Sequence, residues 1–276
     1  MERANINGNE IEYSVYGADG GEWVVLIHGS VFANMFLPMI SQPDLSKYSI
    51  LHYYREGYGK STYDKSFDPS INKLASDCLG LMNLLNIDSA HIVSHSYAGL
   101  IALQAAVDSP TRVHTLTLME PPLAPFVPSG KEFGDKLMTS FGLYQQRMNF
   151  EALDYFLKVV FEGTWDYRKI IDTKLGNNAF NIALSIIDTL FQVEFPALQS
   201  WKFDPSYVKT ITMPILSVNG TDSALFFKEV QSLLQTWFPH LETLTIPNSS
   251  HILHMQEPEL VAEGLSSFFA KHPILR

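Results

Sequence analysis

A serine flanked by small residues is the first feature that suggests chemistry. In "HIVSHSYAGL", residues 91–100, a run of strand formers ends near Ser96 and an Ala/Leu-rich helix begins almost at once. A sharp strand-to-helix turn exposes the oxygen of its serine and leaves space only for small side chains two positions before and two positions after it. Ser94 and Ala98 meet this requirement around Ser96, whereas the residue two positions before Ser94 is the bulky Ile92. Sterics therefore favour Ser96 as a nucleophile.

A serine hydroxyl needs an imidazole base, and the imidazole needs a carboxylate that fixes its tautomer. His251 follows the last predicted strand, in "NSSHILHMQEPEL", and precedes a helix that begins around Pro258, so we expect it to be the base. Asp222 lies in the turn "NGTDS" after the preceding strand and is predicted to be the orienting acid. Glu120, at the end of the strand "HTLTLME", is its rival and keeps the assignment open.

The elements that would position these residues alternate along the chain. Short runs rich in β-branched and aromatic residues predict strands, and apolar residues spaced three and four apart predict helices. Such alternation is typical of a parallel sheet covered by helices. We therefore predict an α/β fold with a mostly parallel, eight-stranded-type sheet and helices on both faces. The predicted strands are 23–29, 48–54, 90–94, 114–120, 214–220 and 241–246, and the predicted helices are 71–85, 98–107, 225–238 and 258–271.

One long segment interrupts this alternation. It begins with the proline-rich "PPLAPFVPSG", which can continue neither a helix nor an interior strand, and it then shows only helical patterns. We predict a helical lid at 122–206, inserted into a core formed by 1–121 and 207–276. Its aromatic residues are numerous enough to line an apolar substrate pocket, although they could equally form the core of the lid. They are Phe126, Phe133, Phe141, Tyr144, Phe150, Phe156, Phe161, Trp165, Phe191, Phe195 and Trp201.

Composition limits the classes of partner. The chain of 276 residues carries a formal charge of -10, which disfavours nucleic acid and anionic membrane surfaces, so a small-molecule substrate is expected. The opening "MERANINGNE" has no apolar signal region, and a cytoplasmic location is the default expectation. Cys78, the only cysteine, indicates neither a disulfide nor a metal site. We expect no cofactor and no metal, and the sequence does not indicate the oligomeric state.

Five motifs in order resemble those of the α/β-hydrolase superfamily: "LIHGS", "YREGYGKS", "SHSYAG", "NGTDS" and "SSHILHMQEPE". The resemblance covers nearly the whole length. Two departures stand out. The elbow reads Ser-x-Ser-x-Ala in place of Gly-x-Ser-x-Gly, and Tyr54 and Glu56 occupy places where the family usually has Asp and Arg. The second departure predicts that an ion pair near the site is lost or rewired.

The resemblance implies ester-type hydrolysis, of a carboxylic ester, lactone or thioester, through an acyl-enzyme on Ser96. It also implies an oxyanion hole built from the backbone N–H groups of Ser30 and Tyr97. His28 and His95 would pack beside the site without acting in it, and His254 would not be the base. Carbon–carbon bond hydrolysis, a cofactor-free dioxygenase with a similar Ser-His-Ser elbow, and a noncatalytic ligand receptor remain alternatives.

Overall fold

Eight strands form one sheet in the computed structural model, which describes residues 1–63, 69–162 and 166–275. The sheet order is β1-β2-β4-β3-β5-β6-β7-β8. Strands β3 to β8 run parallel to one another, while β2 pairs antiparallel with both β1 and β4. The predicted mostly parallel sheet is thus confirmed. The strands are β1 Glu2–Ile6, β2 Asn9–Gly17, β3 Trp23–Ile27, β4 Ser49–Tyr54, β5 Ala90–His95, β6 Val113–Met119, β7 Ile215–Gly220 and β8 Glu242–Ile246.

Alternate residues of β3 belong to the two apolar layers that sandwich the sheet. Val25 and Ile27 join the larger cluster, whereas Val24 and Leu26 join the smaller one on the other face. Side chains of a strand point to opposite faces in turn, so a strand that is apolar throughout must be covered on both sides. The run "WVVLI" therefore requires helices on each face.

Helices cover both faces of this sheet. Helices α2 and α3 contact each other in the larger layer, and α1 and α11 contact each other on the opposite face. The α-helices of the described residues are α1 Leu37–Ile40, α2 Ile71–Leu84, α3 Ala98–Asp108, α4 Gly130–Gln145, α5 Asn149–Val160, α6 Tyr167–Leu175, α7 Ala179–Ser185, α8 Phe195–Ser200, α9 Leu225–Trp237, α10 Leu253–Gln256 and α11 Pro258–Lys271.

The chain between β6 and β7 contains α4 to α8 and, among the described residues, no strand. A π-helical turn at Thr189–Glu194 leads into α8. This helical segment corresponds to the lid predicted at 122–206, whose exact limits stay a prediction. Trp165, one of its predicted aromatic residues, lies outside the described residues.

The hairpin of β1 and β2 is absent from the strands predicted above. Its turn is Asn7-Gly8, with φ of 51° and 93°. An Asn-Gly pair favours the two-residue hairpin turn in which both central residues have positive φ. The two strands are mostly polar and half-exposed, so they lack the apolar run that predicts the other strands, and the Asn-Gly pair is the local signal of this hairpin.

Candidate active site

The turn after β5 holds Ser96 in a strained conformation. Its φ is 54°, in the left-handed region that residues other than glycine rarely adopt. The Ser96 amide donates to the Met119 carbonyl oxygen at 2.8 Å, which anchors the turn to the neighbouring strand β6. Gly29 leaves the space that the turn needs, because a Cβ there would lie 2.7 Å from Nδ1 of His95 and 3.2 Å from Cβ of Ser96.

The small residues around this turn are closely packed, in line with the sterics of the sequence. Ser94 is fully buried and donates from Oγ to the Thr117 carbonyl oxygen at 2.9 Å. Ala98 is also fully buried, and a Cβ added to Gly99 would lie 2.5 Å from the side chain of Pro121. Ser94 therefore has a structural partner and does not face the other site residues.

Ser96, His251 and Glu120 form a continuous hydrogen-bonded chain. Nε2 of His251 lies 2.9 Å from Oγ of Ser96, and Nδ1 of His251 lies 2.8 Å from Oε2 of Glu120. Phe227 stacks on the imidazole with ring centroids 4.2 Å apart and an interplanar angle of 13°. His251 is nearly buried and Glu120 completely so. The structure thus brings together the predicted nucleophile and base and a carboxylate.

The carboxylate bonded to His251 is that of Glu120. The prediction that Asp222 contacts this imidazole as the orienting acid was therefore wrong. Asp222 is exposed, and its carboxylate accepts a hydrogen bond from Thr221 Oγ1 at 3.0 Å. Its amide donates to the Ser249 carbonyl oxygen, which holds the turn against the histidine loop. A carboxylate turned toward water in this way cannot fix the tautomer of a buried imidazole.

Strand order explains the difference. Glu120 directly follows β6, which is the immediate neighbour of the strand that carries Ser96, whereas β7 lies one strand farther away. The carboxylate also has a prepared site: Oε1 accepts from the Gly220 amide at 3.0 Å and from the hydroxyl of Ser223. Both donors belong to the loop after β7, so this loop positions the acid instead of supplying it.

The predicted oxyanion residues border the same space as the serine. Ser30 and Tyr97 line one cavity together with Ser96. Neither of their amides donates to an acceptor within the described parts of the chain. Two amide donors beside a serine oxygen are the arrangement that stabilises a tetrahedral oxyanion, and their role stays a prediction.

The other histidines near the site are buried; two of them hydrogen-bond to the backbone, and His254 packs against the rings of Phe36 and His95. His28 donates from Nδ1 to the Gly29 carbonyl oxygen and accepts at Nε2 from the Arg55 amide. His95 donates from Nε2 to the His251 carbonyl oxygen at 2.7 Å. Burial lowers the pKa of both side chains, and it lowers the pKa of His254 to about 3, so these imidazoles are neutral.

Two charged residues of "YREGYGKS" form ion pairs that the sequence did not reveal. Glu56, at the place usually held by arginine, is buried and accepts from Lys73 and Asn9. Arg55 is fully buried and forms an ion pair with Glu194 of the π-helical turn. The predicted rewiring therefore yields two separate ion pairs. No periodic pattern could have paired Arg55 with a residue so distant in sequence.

Two small cavities flank Ser96. One of about 30 Å³ is lined by Glu194 and by apolar residues that include Phe133, Phe156 and Phe195. The other, of about 20 Å³, lies beside His251. Each has room for one or two water molecules. The helical segment therefore leaves little space beside Ser96 in this conformation.

A much larger groove than these two cavities lies away from this chemistry. It has a volume of about 500 Å³ and is lined by residues near the start of β7 and the end of α9, among them Trp237 and His240. Ligands of parallel sheets bind at the carboxyl ends of the strands, where Ser96 and His251 lie, so the small cavities mark the candidate site.

The chain is similar to known proteins both in sequence and in fold. Residues 22–258 match the sequence profile of the alpha/beta hydrolase fold family. The chain is 20% identical to an uncharacterized hydrolase, YugF, of Bacillus subtilis, over 97% of each chain. Its fold is similar to the solved structures of an enol-lactonase from Burkholderia xenovorans (TM-score 0.78, 18% identity, 98% of this chain and 100% of the other) and of a thermophilic esterase from Thermogutta terrifontis (TM-score 0.81, 17% identity, 99% and 100%).

The chain therefore belongs to the α/β-hydrolase fold family, and the resemblance identified from its motifs is confirmed. Within the described residues, no group of three or more His, Cys, Asp or Glu side chains is arranged to hold a metal ion. Of the helices in the same ranges, none combines the length and the hydropathy that crossing a bilayer requires.

Proposed function

We propose that the protein is a serine hydrolase that cleaves a small, largely apolar ester-type substrate through an acyl-enzyme on Ser96. The carrying observation is the chain of hydrogen bonds from Ser96 through His251 to Glu120. In this proposal Glu120 takes the role that the sequence assigned to Asp222. The esterase and enol-lactonase among the similar structures support an ester or lactone as the substrate class.

In the first half-reaction, Ser96 Oγ attacks the carbonyl carbon of the ester and His251 Nε2 accepts the hydroxyl proton. Glu120 stabilises the imidazolium that forms and keeps the proton of Nδ1 directed toward its own Oε2. The carbonyl oxygen becomes an oxyanion, which accepts hydrogen bonds from the amides of Ser30 and Tyr97. When the tetrahedral intermediate collapses, the C–O bond to the alcohol breaks and His251 returns the proton to the leaving oxygen.

In the second half-reaction, water replaces the alcohol. His251 accepts a proton from this water while the water oxygen attacks the acyl carbon. The bond between the acyl carbon and Ser96 Oγ then breaks, and His251 returns the proton to Oγ. The products are a carboxylic acid and the free enzyme. No cofactor takes part in either step.

Substrate access requires movement of the helical segment between β6 and β7. Cavities of about 30 and 20 Å³ hold water but not an ester. We expect the helices that carry Phe156 and Phe195 to separate from the core before binding, and then to close and exclude water.

The test is covalent labelling with a fluorophosphonate, followed by peptide mass mapping. We expect one adduct per chain on Ser96, and hydrolysis of short-chain p-nitrophenyl esters that Ser96→Ala abolishes. Ser94→Ala is the matched control, because Ser94 lies two residues away, is fully buried and is bonded to a strand carbonyl. This variant should still be labelled on Ser96. An adduct on another serine of folded protein contradicts the proposal, as does turnover of an aromatic substrate with oxygen uptake in Ser96→Ala.

A further inference from the structure

A buried carboxylate of the helical segment lies at the candidate active site. Glu194 is 1% exposed and borders the same cavity as Ser96. Its Oε1 is fully engaged, since it accepts from Nη2 of Arg55 and, at 2.9 Å, from the hydroxyl of Tyr58. Arg55 is held in turn by the carbonyl oxygens of His28 and Gly29.

The second oxygen of this carboxylate has no partner. Oε2 of Glu194 is buried, and no donor within the described residues reaches it. Leaving a buried acceptor unpaired costs about 1–3 kcal/mol, and more when the group is charged. Such an atom in a native structure calls for an explanation, and a ligand that donates to it is one.

A second polar atom without a partner belongs to a residue that lines the same cavity. Tyr97 is 3% exposed and lines the cavity, and its hydroxyl has no hydrogen-bond partner among the described residues. Burial raises the pKa of this phenol, and the nearby charge of Glu194 raises it further, so the hydroxyl stays protonated and can donate. The two unpaired groups therefore supply one strong acceptor and one donor.

The remaining wall of the cavity is almost wholly apolar. Apart from Ser30 and Ser96 it is lined by apolar side chains, among them Phe133, Leu137, Phe156, Leu190, Phe195 and Phe227. A few polar groups in an apolar pocket orient a ligand and determine its specificity. We propose that Glu194 and Tyr97 form a subsite for a hydroxyl group of the substrate, so that the preferred substrate is a hydroxylated ester or lactone. This inference rests on the proposed esterase function.

A hydroxyl satisfies both groups at once. Its hydrogen is donated to Oε2 of Glu194, and its oxygen accepts the hydrogen of the Tyr97 phenol. An ammonium group is less suited, because the guanidinium of Arg55 already balances the carboxylate and a second cation would add a net charge to an apolar cavity. A methyl group in the same place would leave both oxygens unpaired.

The experiment compares hydrolysis of matched esters by the full-length protein. One series contains p-nitrophenyl ω-hydroxyalkanoates of increasing chain length, each paired with the alkanoate in which a methyl group replaces the hydroxyl. In a second series the hydroxyl or methyl group lies in the alcohol part of the ester, and hydrolysis is measured by the release of the carboxylic acid. We expect kcat/KM for the hydroxylated ester to exceed that of its partner by about tenfold at the length that reaches the subsite, as for a hydrogen bond to a charged group.

Variants test which residues cause this preference, with the hydroxyl-to-methyl ratio of kcat/KM as the readout. Tyr97→Phe should lower the ratio about threefold, as for one neutral hydrogen bond, and leave part of the preference in place. The double variant Arg55→Met/Glu194→Met removes the ion pair as a unit, which avoids an unpaired buried charge, and it should abolish the preference. Tyr53→Phe removes a buried phenol oxygen of β4 outside the cavity and should leave the ratio unchanged.

Equal rates for the hydroxyl and methyl esters of the wild-type protein, at every length in both series, would overturn the subsite. A preference for ω-ammonium esters over hydroxyl esters would overturn it as well, and so would a ratio that stays unchanged in the double variant. These results leave labelling of Ser96 and hydrolysis of plain esters intact. Loss of those two activities would instead refute the esterase function together with this inference.

Discussion

Replacement of Glu120 by glutamine tests the arrangement of the site most directly. In the wild-type protein Oε1 of Glu120 accepts from the Gly220 amide and the Ser223 hydroxyl, and Oε2 accepts from Nδ1 of His251. A glutamine has only one oxygen for these two sides. If the amide oxygen of the glutamine accepts from Gly220, the amide NH₂ faces His251. Nδ1 of His251 must then accept a hydrogen bond instead of donating one.

The imidazole would then carry its proton on Nε2, facing Ser96, and could not accept the hydroxyl proton. The opposite orientation of the amide places its NH₂ against the Gly220 amide, a buried contact between two donors that costs about 1–3 kcal/mol. Either outcome removes the productive tautomer. We expect kcat to fall by about 10³ to 10⁴, equivalent to roughly 4–5.5 kcal/mol of barrier, with little change in KM.

The assay is steady-state hydrolysis of a short-chain p-nitrophenyl ester, with circular dichroism to confirm that the variants are folded. Asp222→Asn is the matched control: its carboxylate is exposed and bonded to Thr221, so kcat should stay within about twofold of wild type. The reasoning is refuted if Glu120→Gln retains activity within tenfold of wild type while Asp222→Asn loses about a thousandfold.

Three further predictions concern stability. Phe227→Ala removes the ring stacked on His251 and should lower the unfolding free energy by about 3–5 kcal/mol in urea titrations, with a matching loss of kcat; unchanged stability would show that the ring is not a packed core element. Gly130→Ala should lower the melting temperature, because the added Cβ would lie 1.7 Å from a backbone oxygen, whereas Gly134→Ala in the same helix has no atom within 4 Å and should not lower it. Burial lowers the pKa of His52 to about 4, so between roughly pH 6.5 and 4 this side chain is protonated in the unfolded chain but neutral in the folded chain. The free energy of unfolding should therefore fall as the pH falls through this range. Between roughly pH 6.5 and pH 4, measured by urea unfolding, His52→Gln should lose roughly 3 kcal/mol less of this free energy than the wild-type protein. An identical pH dependence of the two proteins would contradict the lowered pKa of His52.

The sequence by itself determined the features that depend on neighbouring residues. The parallel sheet follows from apolar runs alternating with helical periods, because each strand must be covered on both faces. Ser96 was chosen over Ser94 by the size of the residues two positions away, and the structure places it in a left-handed turn beside His251. These inferences hold because sterics and periodicity act over a few residues and leave a visible pattern.

Only the tertiary structure decided which groups distant in the chain meet. Asp222 and Glu120 both follow strands, and the choice between them depends on strand order and on donors from another loop, neither of which leaves a trace in local sequence. The pairing of Arg55 with Glu194 and the small cavity depend in the same way on how the inserted helices pack over the sheet. Such contacts depend on three-dimensional packing, so local patterns along the sequence do not predict them.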